Sequence, residues 1–270
     1  MADEREVIER TSRPVTPARI VRELKALGVA PGDLLLVHTS LSKLGWVPGA
    51  AQGVIEALIE SVGAGGTIVM PTFTAANSDP ANWRDPPVPE TWHEEIRASM
   101  PAFDPKKSPT RIMGLINEAF RSWPGVLRSM HPQVSFAALG PLAEHITAPH
   151  TPEHTMDEQS PLARLYAGNA KILFLGTNYL TCTSFHLAEF RSGKLDRRVR
   201  SGAATSVNGE RVWVEFDQYE GGDDFQMLGE AFERDAGDVS IGKVGEAECR
   251  LFPMRAAVDY AVDWLRANRP

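Results

Sequence analysis

The residues best suited to chemistry sit in one short segment, Thr183-Ser184-Phe185-His186-Leu187-Ala188-Glu189, which follows the apolar run Lys171-Ile172-Leu173-Phe174-Leu175-Gly176. An imidazole is the one side chain whose ordinary pKa lets it take a proton near neutrality. His186 therefore reads as a general base, or in the plainer case as a core histidine satisfied by hydrogen bonds. Glu189, three residues on, either orients the ring or faces solvent. Cys182, four residues before His186, has the spacing of a nucleophile paired with a base, or is a buried inert thiol. A second source of carboxylates is the tract from Asp217 to Glu233, where Asp217, Glu220, Asp223, Asp224, Glu230 and Glu233 occur with no intervening Lys or Arg. Such a run is either a solvated face or a device that brings a carboxylate to His186 and fixes its tautomer.

A third candidate is Val37-His38-Thr39-Ser40-Leu41-Ser42-Lys43-Leu44-Gly45, which begins where an apolar run ends. Ligands of open α/β sheets bind at the carboxyl ends of strands, and free N–H groups and hydroxyls there suit a phosphate. The Gly-rich spacing of a Walker motif is absent. His150 and His154 have metal-like spacing with Asp157 beyond them, but Pro149 and Pro152 oppose the helix that would align them. No metal is expected.

These residues need a scaffold. Thr16-Pro17 reads as the cap and first residue of a helix carrying Ile20, Val21, Leu24 and Leu27, ended by Gly28. Leu34–Val37, Thr67–Met70 and Lys171–Leu175 are continuous apolar runs, typical of strands buried on both faces. Between them, Val54–Val62, Met113–Arg121, Pro141–Ile146 and Ser160–Tyr166 read as helices, and a strand is expected around Val134–Ala138. Asn208-Gly209 between Thr205–Asn208 and Arg211–Phe216 is the strongest hairpin signal. A last helix starts near Met254. Residues 76–109 hold seven prolines with Trp83, Trp92 and Phe103, an ordered, locally stiff excursion. The fold expected is α/β, one domain over residues 16–270 with an antiparallel portion, preceded by a loose arm over residues 1–15.

Composition sets outer bounds. The 270 residues are 43% hydrophobic and 23% charged, which is globular. No apolar run approaches the length of a membrane span, and the charged start MADEREVIERTSR lacks the apolar core of a secretory signal. Two cysteines suit a reducing, cytoplasmic setting. A net charge of −7 disfavours nucleic acid and anionic lipid and suits a cationic ligand.

Eight segments occur in an order that resembles one family: VHTSLSKLG, MPTFT, PAFDP, GLINEAFR, PGVLRSMHPQVSFAALGP, QSPLARLY, ILFLGTNYLTCTSFHLAEF and VGEAECRLF. Over residues 15 to 265 the chain resembles the aminoglycoside 3-N-acetyltransferase (antibiotic N-acetyltransferase) family. The resemblance implies a central mixed sheet flanked by helices with a smaller antiparallel portion. It also implies acetyl transfer from acetyl-CoA, without a metal, to the 3-amino group of a 2-deoxystreptamine ring. His186 occupies the position of the family's catalytic histidine. The family's aromatic-Asp pair is here Tyr219-Glu220, so Glu220, with Asp217 as the fallback, is expected to orient the ring. His38, Thr39, Ser40, Ser42, Thr72, Phe73, Met113 and Gly114 match segments that line the coenzyme channel, and an N–H near Thr72–Thr74 is expected to face the thioester oxygen. Asp104, Glu158, Asp223 and Asp224 are expected to hold the cationic substrate. Leu180 stands where a polar residue is common, and Asn117 at a frequent proline. Another small amine as acceptor, a non-catalytic coenzyme-A-binding protein and a ping-pong enzyme using Cys182 are the alternatives, and the assembly expected is a monomer or homodimer.

Overall fold

The structure, a computed structural model, describes residues 4–195, 197–219 and 221–270. Nine strands are present among them: β1 Leu34–Thr39, β2 Thr67–Pro71, β3 Leu127–Arg128, β4 Phe136–Leu139, β5 Lys171–Leu175, β6 Arg198–Val207, β7 Glu210–Tyr219, β8 Ser240–Val244 and β9 Ala247–Pro253. Seven form a mixed sheet in the order β3-β4-β2-β1-β5-β9-β8, and β6 and β7 form a separate antiparallel pair. Only β2, β1 and β5 run parallel, with Leu36 opposite Val69 on one side and Ile172 on the other.

The three apolar runs of the sequence are these three parallel strands. Their side chains alternate between two cores: Leu34, Leu36, Ile172 and Phe174 enter one, and Leu35, Val37, Leu173 and Leu175 the other. Burial on both faces explains why the runs are continuous rather than alternating. The helices are α1 Glu4–Glu9, α2 Pro17–Leu27, α3 Leu41–Leu44, α4 Ala50–Val62, α5 His93–Ser99, α6 Leu115–Arg121, α7 Ala143–Thr147, α8 Pro161–Ala167, α9 Ser184–Ser192, α10 Phe225–Ala236 and α11 Met254–Asn268. α2, α4 and α6 cover the second core; α7 to α11 cover the first. The result is a three-layer α/β/α stack.

The expected helix boundaries are close. Thr16 accepts from Arg19 N–H at 3.2 Å, and Gly28 ends α2 at φ 111°. The arm is not loose: Val7 and Val15 are buried, and Thr11 accepts from Trp46 N–H. The acidic tract is not one face either. Asp217 lies on β7, whereas Glu230 and Glu233 lie on α10, a helix the charge run concealed. α10 approaches the Tyr179–Thr181 turn so closely that a Cβ on Gly229 would meet the Tyr179 ring. The proline-rich excursion contains α5 and docks on β6, where the Asn77 amide exchanges two hydrogen bonds with the Ala204 backbone at 2.9 and 3.0 Å.

Candidate active site

β1 has a parallel neighbour on each side, so its carboxyl end is a crevice between connections that depart in opposite directions. Three cavities meet there. The first, about 350 Å³, is lined by His38, Thr39, Pro71, Phe73, Ile112, Met113, Asn117, Thr177, Leu180, Thr181, Cys182, Thr183, His186 and Phe225. The second, about 890 Å³, shares Thr39, Ile112, Met113 and Thr177 with the first and continues along Ser40, Leu41, Ser42, Gly45, Trp46, Val47, Gly114 and Leu115 to Glu4 and Val7 of α1. A third, about 620 Å³, shares Thr177 and Thr181 with the first and carries Glu230, Glu233, Glu246 and Glu248 beside Arg10, Lys43 and Arg250.

His186 lies in the first turn of α9. Its Nδ1 is 2.6 Å from Glu189 Oε2, with the imidazole about a quarter exposed and the carboxylate buried. Because a carboxylate accepts, Nδ1 carries a proton, and in the neutral ring the lone pair is then on Nε2. The other Glu189 oxygen accepts from Arg269 Nη1 at 2.6 Å, and Arg269 grips both oxygens of Asp224 at 2.6 and 2.7 Å. Phe225, next to Asp224, lies against the His186 ring with centroids 4.9 Å apart.

Other groups in the cavity are neutral. His38 is buried, and burial pushes its pKa down to about 3; its Nε2 lies 3.5 Å from Thr183 Oγ1. Burial pushes the Cys182 thiol up to about 12, with Ser184 Oγ 3.1 Å away, so the sulfur is a thiol rather than a thiolate and is a poor nucleophile. Asn117 accepts from Thr39 Oγ1 at 2.8 Å and donates to the Pro71 carbonyl at 2.9 Å, tying the ends of β1 and β2 to α6.

The expected coenzyme residues largely converge. His38, Thr39, Phe73 and Met113 line the first cavity, and Thr39, Ser40, Ser42, Met113 and Gly114 the second. Thr72 does not: it is fully buried, with its hydroxyl at Ser135 and Arg128. The N–H groups of Thr72 and Thr74 are spent on Ser135 and Gln133 carbonyls, so neither faces a thioester. Asp217 is also not the orienter. It is engaged by Arg198 and Arg200 on the hairpin, and Glu189 holds the ring instead. Glu220 lies outside the described residues.

The expected substrate carboxylates are dispersed. Asp104 closes its own turn through the N–H groups of Lys106 and Lys107, and Glu158 pairs with Arg191 at 2.6 and 3.0 Å. Asp224 is held by Arg269, and Asp223 is exposed before α10. None of the four lines the three cavities. His150 is committed to Ser129 Oγ and the Thr155 carbonyl at 3.0 Å each, and His154 to Asp157 at 2.7 Å, so the pair does not share a ligand position. Trp46 and α1, which wall the second cavity, gave no signal in the sequence, and neither did Arg269, 80 residues from Glu189 along the chain.

A sequence profile of the family described as aminoglycoside 3-N-acetyltransferase matches residues 36–266. The SPbeta prophage-derived aminoglycoside N(3')-acetyltransferase-like protein YokD of Bacillus subtilis is 45% identical over 98% of this chain and 97% of its own length. Aminoglycoside N(3)-acetyltransferase IX of Micromonospora chalcea is 37% identical over 98% and 99%. The crystal structure of YokD superposes with a TM-score of 0.95, covering 98% of each chain. Two further solved structures are similar: AAC-VIa bound to sisomicin (TM-score 0.85, 31% identity, 95% and 99% coverage) and AAC-IIIb binary with CoASH (0.83, 29%, 95% and 98%). With this profile, these relatives and the same mixed sheet, the chain belongs to the aminoglycoside 3-N-acetyltransferase family.

Proposed function

We propose that this protein transfers the acetyl group of acetyl-CoA directly to the 3-amino group of a 2-deoxystreptamine aminoglycoside, with His186 as general base. The observation that carries the reading is the bond from His186 Nδ1 to Glu189, which leaves a lone pair on Nε2 of a ring lining a cavity continuous with the Thr39–Ser42 pocket. The larger pocket suits coenzyme A in its donor set: hydroxyls of Thr39, Ser40 and Ser42 for polar groups, and Leu41, Val47, Met113 and Leu115 for the apolar arm. Similar proteins named as bound to sisomicin and to CoASH support both ligands.

The thioester supplies an activated acyl carbon and a good leaving group. An alkylammonium has no lone pair, so one proton must leave to solvent before the neutral amine can attack. His186 takes a second proton from the nitrogen as the C–N bond forms and the carbonyl oxygen gains charge; Glu189 balances the imidazolium; the oxyanion re-forms the carbonyl as the C–S bond breaks and the thiolate departs, with the proton on His186 returning to solvent or sulfur. General-base help of this kind is worth ~10²–10⁴-fold. Cytoplasmic action by a monomer or homodimer fits; no described helix is long and apolar enough to cross a membrane.

One observation favours a second acceptor class. No carboxylate lines the His186 cavity among the described residues, and Asp104, Glu158 and Asp224 are already paired or tied into turns. A smaller, less charged amine would need no more. Thiol release from acetyl-CoA with sisomicin-, kanamycin- and neomycin-type acceptors against simple monoamines separates the two. Turnover on the first group, with acetylation at the 3-amino nitrogen by NMR, supports the aminoglycoside reading; turnover confined to monoamines overturns it.

A further inference from the structure

Glu189 is 3% exposed, and a carboxylate this deep is stable only when its charge is shared. Its two oxygens are divided between His186 and Arg269, each at 2.6 Å. Arg269 is itself 9% exposed along its side chain and spends further donors on Asp224 and the Lys194 carbonyl, the latter at 2.9 Å. Along this row donors and acceptors alternate: imidazole N–H, carboxylate, guanidinium, carboxylate. Because Asp224 precedes Phe225, the same guanidinium also fixes the wall against which the imidazole ring packs.

We propose that Arg269 is a positioning residue for the acetyl transfer, setting both the orientation and the proton affinity of the general base through Glu189. The inference rests on the reading of His186 as that base. If His186 were its only partner, the buried Glu189 charge would act wholly on the imidazolium and hold its proton against release. Arg269 draws part of that charge away and locks the carboxylate in one plane, as a planar guanidinium fork does better than an ammonium. Hydrogen bonding to Asp224, with Glu189 adding to it against the cost of burial, pushes the guanidinium pKa up, so the arginine stays charged throughout the working range. Three other charged groups near the row, among the described residues, are engaged elsewhere. Arg191 on α9 meets Glu158, Arg266 on α11 meets Asp263 and the Arg191 carbonyl, and the Lys194 ammonium meets the Pro270 carbonyl.

The test is a cycle of Arg269→Gln, Glu189→Gln and the double variant, with kcat, KM for acetyl-CoA and pH profiles of kcat/KM. Arg269→Gln is expected to lower kcat at neutral pH about 10-fold, leave KM for acetyl-CoA within about twofold and move the acid limb up by about one pH unit, since removing a cation favours every protonated form. In the Glu189→Gln background, the same change is expected to cost less than about twofold, because residues acting through one another do not add. Arg269→Lys keeps the charge without the fork; it is expected to hold the acid limb in place with kcat between the two. It carries the test should Arg269→Gln fail to fold, and wild-type kcat in Arg269→Lys would then overturn the proposal. Effects that multiply in the double variant, or an unmoved acid limb in Arg269→Gln, overturn it as well. His186→Ala distinguishes the two claims. If it retains turnover, the base reading fails; if it is inactive while Arg269→Gln matches wild type, only the role of Arg269 fails.

Discussion

Two histidine environments in this molecule have opposite designs. His186 sits about a quarter exposed at a cavity wall, with a carboxylate on Nδ1. His131 and His150 are buried side by side, ring centroids 4.9 Å apart, and their described hydrogen-bond partners include no carboxylate. His131 Nδ1 accepts from the N–H groups of Gln133 and Val134, and His150 bonds to Ser129 and Thr155. Burial first, and for His131 the neighbouring ring as well, pushes both pKa values down, that of His150 to about 4. On the proposed reading, the same side chain is a proton acceptor in one place and a neutral packing piece in the other. Access and a paired carboxylate separate the two roles, rather than residue type.

That contrast can be broken by substitution. His186→Ala is expected to lower kcat by ~10²–10⁴-fold while coenzyme A affinity, read by calorimetry, holds; wild-type turnover would erase the distinction. The buried pair is expected to act on stability instead. Between about pH 6.5 and 4 the unfolded chain binds a proton at His150 that the folded chain refuses. Stability is therefore complete above the unfolded pKa and is lost as pH falls toward the folded one, by about 3 kcal/mol for this group at 1.36 kcal/mol per pH unit. Thermal melts at pH 7.5 and 5 should show the fall, and His150→Gln should flatten it; an unchanged slope would deny the buried pair its acid sensitivity. Glu189→Gln is expected to reduce kcat roughly 10- to 100-fold by removing the charge that orients the ring and balances the imidazolium, and a smaller loss would return the orienting role to the hairpin acids. The smallest effect belongs to Cys182. Cys182→Ala should keep activity within about twofold, and incubation with acetyl-CoA alone should leave the intact mass unchanged; an acetylated protein would replace direct transfer with a ping-pong route.

The parallel strands were legible because burial on both faces leaves no polar position in Leu34–Val37 or Ile172–Leu175. His186 was legible from its place after a buried strand and from the resemblance. Its partner was nearly so: Glu189 stands three residues on, one helical turn away, yet triad logic drew attention to the hairpin acids, where Asp217 turned out to serve Arg198 and Arg200. α10 had its own signal, Phe225, Leu228, Ala231 and Phe232 at helical spacing, masked by the acids on its outer face. Thr72 was expected in the channel only because the resemblance covers Thr72-Phe73 as a segment; alternation along the chain turns Phe73 into the cavity and Thr72 toward Ser135. Arg269 could not be found from spacing, since only tertiary packing of α11 on α9 brings it to Glu189.

A ternary complex with coenzyme A and a sisomicin-type amine tests the central claim most directly. The account predicts the 3-amino nitrogen about 3 Å from His186 Nε2, with the sulfur in the same cavity beside Thr39 and Met113. An amine seated instead among Glu230, Glu233 and Glu248, with Nε2 facing neither nitrogen nor sulfur, would contradict it.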